Sequence, residues 1–361
     1  MLPVAALLLA GCTQDDVALS DATPAKAVAI TFACSADDDA GPSATRAANG
    51  YTGVINKENN ELYYTGFGVF AAQSADGKPD LMYNQQVEYV FRPDSPIEAG
   101  YWTYTPLKYW PADISDCYLC AYAPYVDMPS SPLPSGTTGI TGMSSNDDTT
   151  PYLVYTRASH PEDNVDLLWG YFKPEERAVA RLQMHHALAR LRLNLTLTSD
   201  VPAGTKVLLR QVRLSGTMAQ TGHLVLSGHA TNAAGKLIPT WTDQTLAATT
   251  IDVYADPENH SDSYGVVAEG LRYVADLPYA WQPAGLTKNQ QVNVLCMGDY
   301  PSFVYLIPQG GEFALDCTVY YTLVKSDGTT EHGLRKTDSP ATLPSLNGNT
   351  TYDLNLNISL T

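Results

Sequence analysis

The chain has 361 residues, with 38 acidic and 21 basic side chains, a formal net charge of −17 and only 16% charged residues. That balance argues against a nucleic-acid partner, because phosphate binding needs a concentrated positive surface, and it favours solubility without saying much about fold. The length allows two domains of ordinary size, and 23 Tyr, 26 Gly and 24 Pro, with no amphipathic helix longer than about two turns, point to an exported β protein.

The chain opens on an apolar run, Leu2 to Gly11. It is about half the roughly twenty residues that a membrane-crossing helix needs, and reads as the core of a secretory signal. Its end, Leu9-Ala10-Gly11-Cys12, resembles the bacterial lipobox. That resemblance implies a lipoprotein signal peptide over 1–11 and a lipid on Cys12. No Lys or Arg precedes the run, so the natural start is expected a few residues upstream. One acyl chain anchors marginally, two stably.

Val28, Ile30, Phe32 and Cys34 then alternate with Ala29, Thr31 and Ala33, the period of a half-buried strand. A polar linker containing Gly and Pro leads to Arg46, flanked by Ala44-Thr45 and Ala47-Ala48 in a stretch without periodicity, where a trypsin-like protease has access. Two readings stand. One is an ordinary linker with a stray arginine. The other is a removable strand over Val28, Ile30 and Phe32, followed by a cleavage site between Arg46 and Ala47, which makes 12–46 a propeptide. Removing residues 1–46 takes away two cations and six anions, leaving 19 and 32, a net −13.

From Tyr51 onward the pattern is short strands between turn clusters. Strands are expected over Tyr63 to Ala71, Val87 to Phe91, Tyr101 to Tyr104, Leu107 to Pro111 and Cys117 to Tyr125. A surface loop is expected from Pro129 to Thr150, rich in Gly, Ser, Pro and Thr, then a strand over Val165 to Gly170. Ala178 to Thr198 is helix-like in composition, but alternation from Leu188 onward makes its second half a strand. The pattern breaks at Ser199 to Gly204, dividing a domain over 47–200 from one over 201–361. Further strands are expected over Val207 to Leu214, His223 to Leu226, Thr249 to Tyr254, Val292 to Cys296, Phe303 to Ile307, Phe313 to Val324 and Tyr352 to Leu360. The fold class is therefore all-β, as two tandem β-sandwiches.

The search for chemistry yields little. With Cys12 given to lipid and Cys34 to the first strand, four cysteines remain. Cys117 and Cys120 have CxxC spacing, but in a strand these positions point to opposite faces, and no second pair lies at zinc-site spacing. A Cys296–Cys317 disulfide is open in an oxidising compartment. His185-His186 on a strand point to opposite faces, which suits one core and one surface histidine. Asp256, Asn259 and Asp262 miss the calcium-loop spacing, and Asp37-Asp38-Asp39 and Glu175-Glu176 read as solvated charge runs. No HExxH, GxSxG or phosphate-cradling loop is present. No catalytic residue, metal site or cofactor is expected, although two carboxylates brought together by the fold leave a glycosidase reading open.

Gly66-Phe67-Gly68-Val69-Phe70-Ala71, Tyr109-Trp110-Pro111, Ala121-Tyr122-Ala123-Pro124, Asp166-Leu167-Leu168-Trp169-Gly170, His186-Ala187-Leu188-Ala189-Arg190-Leu191 and Leu306-Ile307-Pro308-Gln309 occur in that order. Together with the lipobox and Arg46, the series resembles that of the fimbrillin family, the lipoprotein-derived subunits of type V pili in Bacteroides-like bacteria. The resemblance covers nearly the whole chain. It implies two transthyretin-like Greek-key sandwiches and a precursor carried to the outer membrane by its lipid. It also implies cleavage after Arg46 by an Arg-specific surface protease, loss of the first strand, and refilling of the groove by a strand of another fimbrillin subunit at the cell surface, in a fimbrium.

Tyr352, Leu354, Leu356, Ile358 and Leu360 alternate with polar residues as either a donor strand or the closing strand of the second sandwich. Stalk subunits of the family are expected to carry a further segment after that strand, so the resemblance points to a tip or accessory subunit, which could meet a host or bacterial surface ligand. The alternative is a surface-anchored glycan-binding lipoprotein in which Tyr101, Trp102, Trp110 and Trp241 stack on sugars, Cys12 keeps its lipid and Arg46 stays uncut. Burial in a sandwich core is the other use for those rings.

Overall fold

The computed structural model describes residues 27–37, 61–93, 96, 100–128, 136–159, 164–232, 235–255, 286–289, 291–293, 303–343 and 345–360. Within these the chain is all-β apart from one short helix. In order come β1 (Phe32–Ala36), α1 (Glu61–Thr65), β2 (Phe67–Ala72), β3 (Met82–Val90), β4 (Tyr101–Thr103), β5 (Tyr118–Ala123), β6 (Gly139–Met143), β7 (Tyr152–Thr156), β8 (Leu168–Phe172) and β9 (Ala180–His186). There follow β10 (Ala189–Leu197), β11 (Lys206–Thr231), β12 (Leu237–Ala255), β13 (Gln291–Asn293), β14 (Val304–Leu306), β15 (Phe313–Val324), β16 (Thr330–Leu343) and β17 (Thr350–Ile358).

Three sheets form. Seven strands run in the order β1-β9-β8-β5-β2-β3-β4. In a second sheet β10 pairs in parallel with β17 along nine residues, and with β14 and then β13 along its other side. In the third, β11 pairs with β12 on one side and successively with β15 and β7 on the other, β16 and β6 lying outermost. Alternation sets which residues face inward. Leu191, Leu193, Leu195 and Leu197 of β10 are buried while Arg192, Asn194 and Thr196 between them are half-buried, and β15 alternates in the same way.

Burial divides into three apolar clusters. One lies under the seven-stranded sheet, around Ile30, Phe32, Phe67, Val87, Leu119 and Leu182. Another, around Leu193, Leu214, Val319 and Leu356, lies between the second and third sheets. The third sits between them, around Phe70, Tyr122, Tyr155, Trp169, Leu224 and Tyr305. β11 serves two of the three: Met218 faces the second cluster and Ala219 the middle one. At that crossing the buried Gln309 side chain accepts from the Ala219 amide at 3.1 Å and donates to the Thr217 carbonyl at 3.2 Å, filling the irregularity in the ladder.

Several expectations need correction. Tyr63 and Tyr64 belong to α1 rather than to a strand. The helix stops at Gly66, whose φ of +63° suits glycine and whose missing Cβ would lie 2.7 Å from the Val87 carbonyl oxygen. Leu107 to Pro111 contributes one bridge, Tyr109 to Ala29. The loop expected over Pro129 to Thr150 contains β6, whose Gly- and Thr-containing sequence pairs with β7. The first half of Ala178 to Thr198 is strand β9, and the two strands expected over Val207 to Leu214 and His223 to Leu226 are one continuous β11. That strand joins β7 to β15, so a single sheet crosses residue 200.

Candidate functional site

The candidate site is the seat of β1. Phe32 to Ala36 pair in parallel with Ala180 to Met184 of β9, at one edge of the seven-stranded sheet. Just upstream, the Ile30 amide donates to the Lys108 carbonyl and the Trp110 amide to the Val28 carbonyl, each at 2.9 Å. Lys108 to Trp110 follow β4, the strand at the opposite edge, so the first segment joins the two ends of the sheet. The Ala180 amide donates to the Thr31 carbonyl at 2.8 Å, and the Tyr104 hydroxyl to the Ile30 carbonyl at 2.9 Å.

Side chains follow the alternation read from the sequence. Ile30, Phe32, Cys34 and Ala36 are buried and Val28 packs against the same cluster, while Ala33 and Ser35 are half-buried on the other face. Phe32 meets Phe67 edge-on at 5.6 Å and Tyr104 at 5.5 Å. Burying Ile30 and Phe32 contributes about 1.5–3 kcal/mol each. Burial also pushes the Cys34 thiol far above its ordinary pKa.

At the far end of β1, Asp37 is held by His185, whose Nδ1 lies 2.9 and 3.0 Å from its two carboxylate oxygens; Gln183 donates at 3.2 Å. Burial alone would raise the Asp37 pKa, but the hydrogen bond and charge of His185, the bond from Gln183 and the charge of His186 outweigh it and hold the carboxyl below its usual value. Asp37 is thus a clasp and not part of a solvated charge run. No local pattern announces it, because its partner is 148 residues away. His186 turns inward instead, 2.9 Å from Asp166, both fully buried. That pair ties together two of the motifs quoted above.

Cys12, Arg46, Ala47, Cys296, Asp256, Asn259 and Asp262 lie outside the described residues. Cys317 is buried in the second apolar cluster. Cys117 and Cys120 are buried thiols, Cys120 within β5 and Cys117 just before it. Leu354, Leu356 and Ile358 of β17 fill the second cluster, with Tyr352 and Leu360 packed against it. The Leu360 amide donates to Ser199 Oγ at 2.9 Å and Arg192 meets Asp353 at 3.2 Å, so β17 is paired within its own chain, beside β10. Of the four rings considered for sugar stacking, Trp110 is buried with its indole donating to the Ala178 carbonyl, and Trp241 donates to the Ala187 carbonyl against the middle cluster. Trp102 packs against the first cluster, and only Tyr101 is open to solvent. No group of three or more metal-ligating side chains gathers among the described residues, and no helix among them is long and apolar enough to cross a membrane.

The described residues thus form a β protein whose first strand joins the two edges of its sheet. The profile of the fimbrillin-like family matches residues 45–275, and the chain belongs to that family. Solved structures similar to it include a fimbrial protein from Bacteroides vulgatus, 19% identical over 92% of this chain and 95% of that one, with a TM-score of 0.49. A candidate cell-adhesion protein from Bacteroides uniformis is 14% identical over 92% and 94%, with a TM-score of 0.46. No curated protein matches the chain.

Proposed function

We propose that this chain is a fimbrial structural subunit, made as a lipoprotein precursor on Cys12 and assembled by strand exchange after cleavage between Arg46 and Ala47. The observation that carries the reading is the place of the first strand upstream of Arg46. It pairs on both sides and plugs the first apolar cluster with Ile30 and Phe32. Its departure would bare the Lys108 carbonyl, the Trp110 and Ala180 amides and the surface under Ile30 and Phe32, worth about 3–6 kcal/mol by area. An extended strand from another fimbrillin subunit restores both. With β17 paired in its own sheet, the chain suits a receiving position, tip or accessory, and its two sandwich units, transthyretin-like in topology, lie over about 47–200 and 201–361, joined where β10 pairs with β17 and β11 with β7 across that line. The expected partners are other fimbrillin subunits, an Arg-specific surface protease and a host or bacterial ligand, at the outer membrane and then in the fimbrium.

The test is the intact mass and N-terminal sequence of the protein released from cells, before and after an Arg-specific protease, for the parent chain and Arg46→Ala. A parent chain beginning at Ala47 that enters multimers surviving mild denaturation, and an Arg46→Ala chain that does neither, is the expected result. A parent chain that still begins at lipidated Cys12 and resists the protease would overturn strand exchange.

A further inference from the structure

Outside the strand seat, three loops converge on a groove of about 540 Å³, within the range of small-ligand sites. The run Lys78 to Tyr83 forms one wall, Pro106 and Lys108 another, and Asn146 and Asp147 of the turn between β6 and β7 the third. The walls are fixed to one another. The Tyr83 hydroxyl donates to the Ser144 carbonyl at 2.6 Å, Gln85 donates to the Thr105 carbonyl at 3.1 Å, and a Cβ on Gly77 would stand 2.5 Å from the Thr149 carbonyl oxygen. The groove is therefore shaped before any ligand arrives.

Its chemistry is that of a polyhydroxylated ligand bearing one negative charge. The Tyr83 ring, 41% exposed, and Pro79 and Pro106 offer apolar faces; the Asn146 amide donates and accepts, and Gln85, its nitrogen spent on the Thr105 and Gln86 carbonyls, accepts. Two ammonium groups and two carboxylates line it: Lys78 stands 4.0 Å from Asp147, while the Asp80 oxygens serve their own loop, accepting from the Gln73 amide at 2.9 Å and Ser74 Oγ at 3.3 Å. Lys108 lines the groove with no carboxylate partner among the described residues. We propose that this groove binds an acidic sugar, its carboxylate on Lys108 and a ring face on Tyr83. The inference does not depend on strand exchange, although the Lys108 carbonyl also holds the first strand.

Full-length chain is titrated with N-acetylneuraminic acid and glucuronic acid, and with glucose and N-acetylglucosamine as neutral counterparts, read by calorimetry and saturation-transfer NMR. One charge-assisted contact predicts about tenfold tighter binding of the acidic sugars, eroded by salt. Lys108→Gln abolishes that preference, Lys108→Arg keeps it, and Tyr83→Ala weakens every sugar that binds, with melting curves checking each fold. If Lys108→Gln melts early, the parent chain's preference and its salt dependence decide. Equal affinity for acidic and neutral sugars, no binding of either at millimolar concentration, or a preference that survives Lys108→Gln in a folded chain overturns the proposal.

Discussion

Truncating Phe32 to alanine tests whether the first strand opens on its own. The ring is 7% exposed and lies against Phe67 and Tyr104. Large-to-small truncation of a buried Phe costs about 3–5 kcal/mol, edge-to-face contacts of roughly 0.5–1.5 kcal/mol each included. At 1.4 kcal/mol per decade, the equilibrium for lifting the strand shifts by about two to three and a half powers of ten. Cys34, two residues along on the same face, reports it, because its thiol reacts only after leaving the core. Pulsed alkylation of the uncleaved chain, mapped by peptide mass, should accelerate at Cys34 by that factor while Cys120 in β5 stays protected. Parallel gains at Cys34 and Cys120 would mean that the strand leaves only with global unfolding, and the idea of a separable strand would fail.

Asp37 has a lowered pKa in the fold, so its contribution is present above the unfolded value of about 3.9 and is lost as pH falls through the folded value. Urea midpoints between pH 5 and 2 should therefore decline less steeply for Asp37→Asn than for the parent chain; identical slopes would remove the clasp from the account. Gly66→Ala forces a side chain to φ +63° against the Val87 carbonyl and should cost at least about 1–2 kcal/mol, seen as a lower melting temperature; an unchanged melt refutes the turn argument. Leu356→Ala, in the second cluster, should cost about 2–5 kcal/mol in global unfolding. A cost below 1 kcal/mol would show that β17 is not consumed in its own sheet.

The β class and the facing of the first and last strands were legible because one face of each is buried, and period-two patterns survive at Ile30, Phe32 and Cys34 and at Leu354, Leu356 and Ile358. What local patterns do not carry is who pairs with whom. Nothing near Val28 says that its segment bridges Lys108 and Ala180, or that Asp37 will find His185. β6 escaped notice because Gly139, Thr141 and Gly142 have turn composition, and their strand form comes from pairing with β7. The unity of β11 was hidden at Ser215 to Gly222, where small and polar residues sit between two apolar runs while the strand moves from one core to the next. The motifs that carry the family resemblance turn out to be packing devices: Gly68 leaves room for the Tyr122 ring, Trp169 donates to the Leu226 carbonyl at 2.8 Å, and Gln309 mends the ladder at Ala219.

That last device bears on how the molecule carries tension. Two beads joined by a slack tether bend freely and stretch by straightening the tether. Here the connection is a 26-residue strand hydrogen-bonded along both sides, with β15 alongside its first part, β7 alongside a later one and β12 antiparallel along most of its length. Tilting one half against the other must shear or peel that ladder, which register shifts interrupt at Val212/Arg213, Ala219/Thr221, Thr221/His223 and Val225/His229, with Gln309 wedged at the second. The two halves are therefore joined by a paired strand rather than by a tether that can be drawn out.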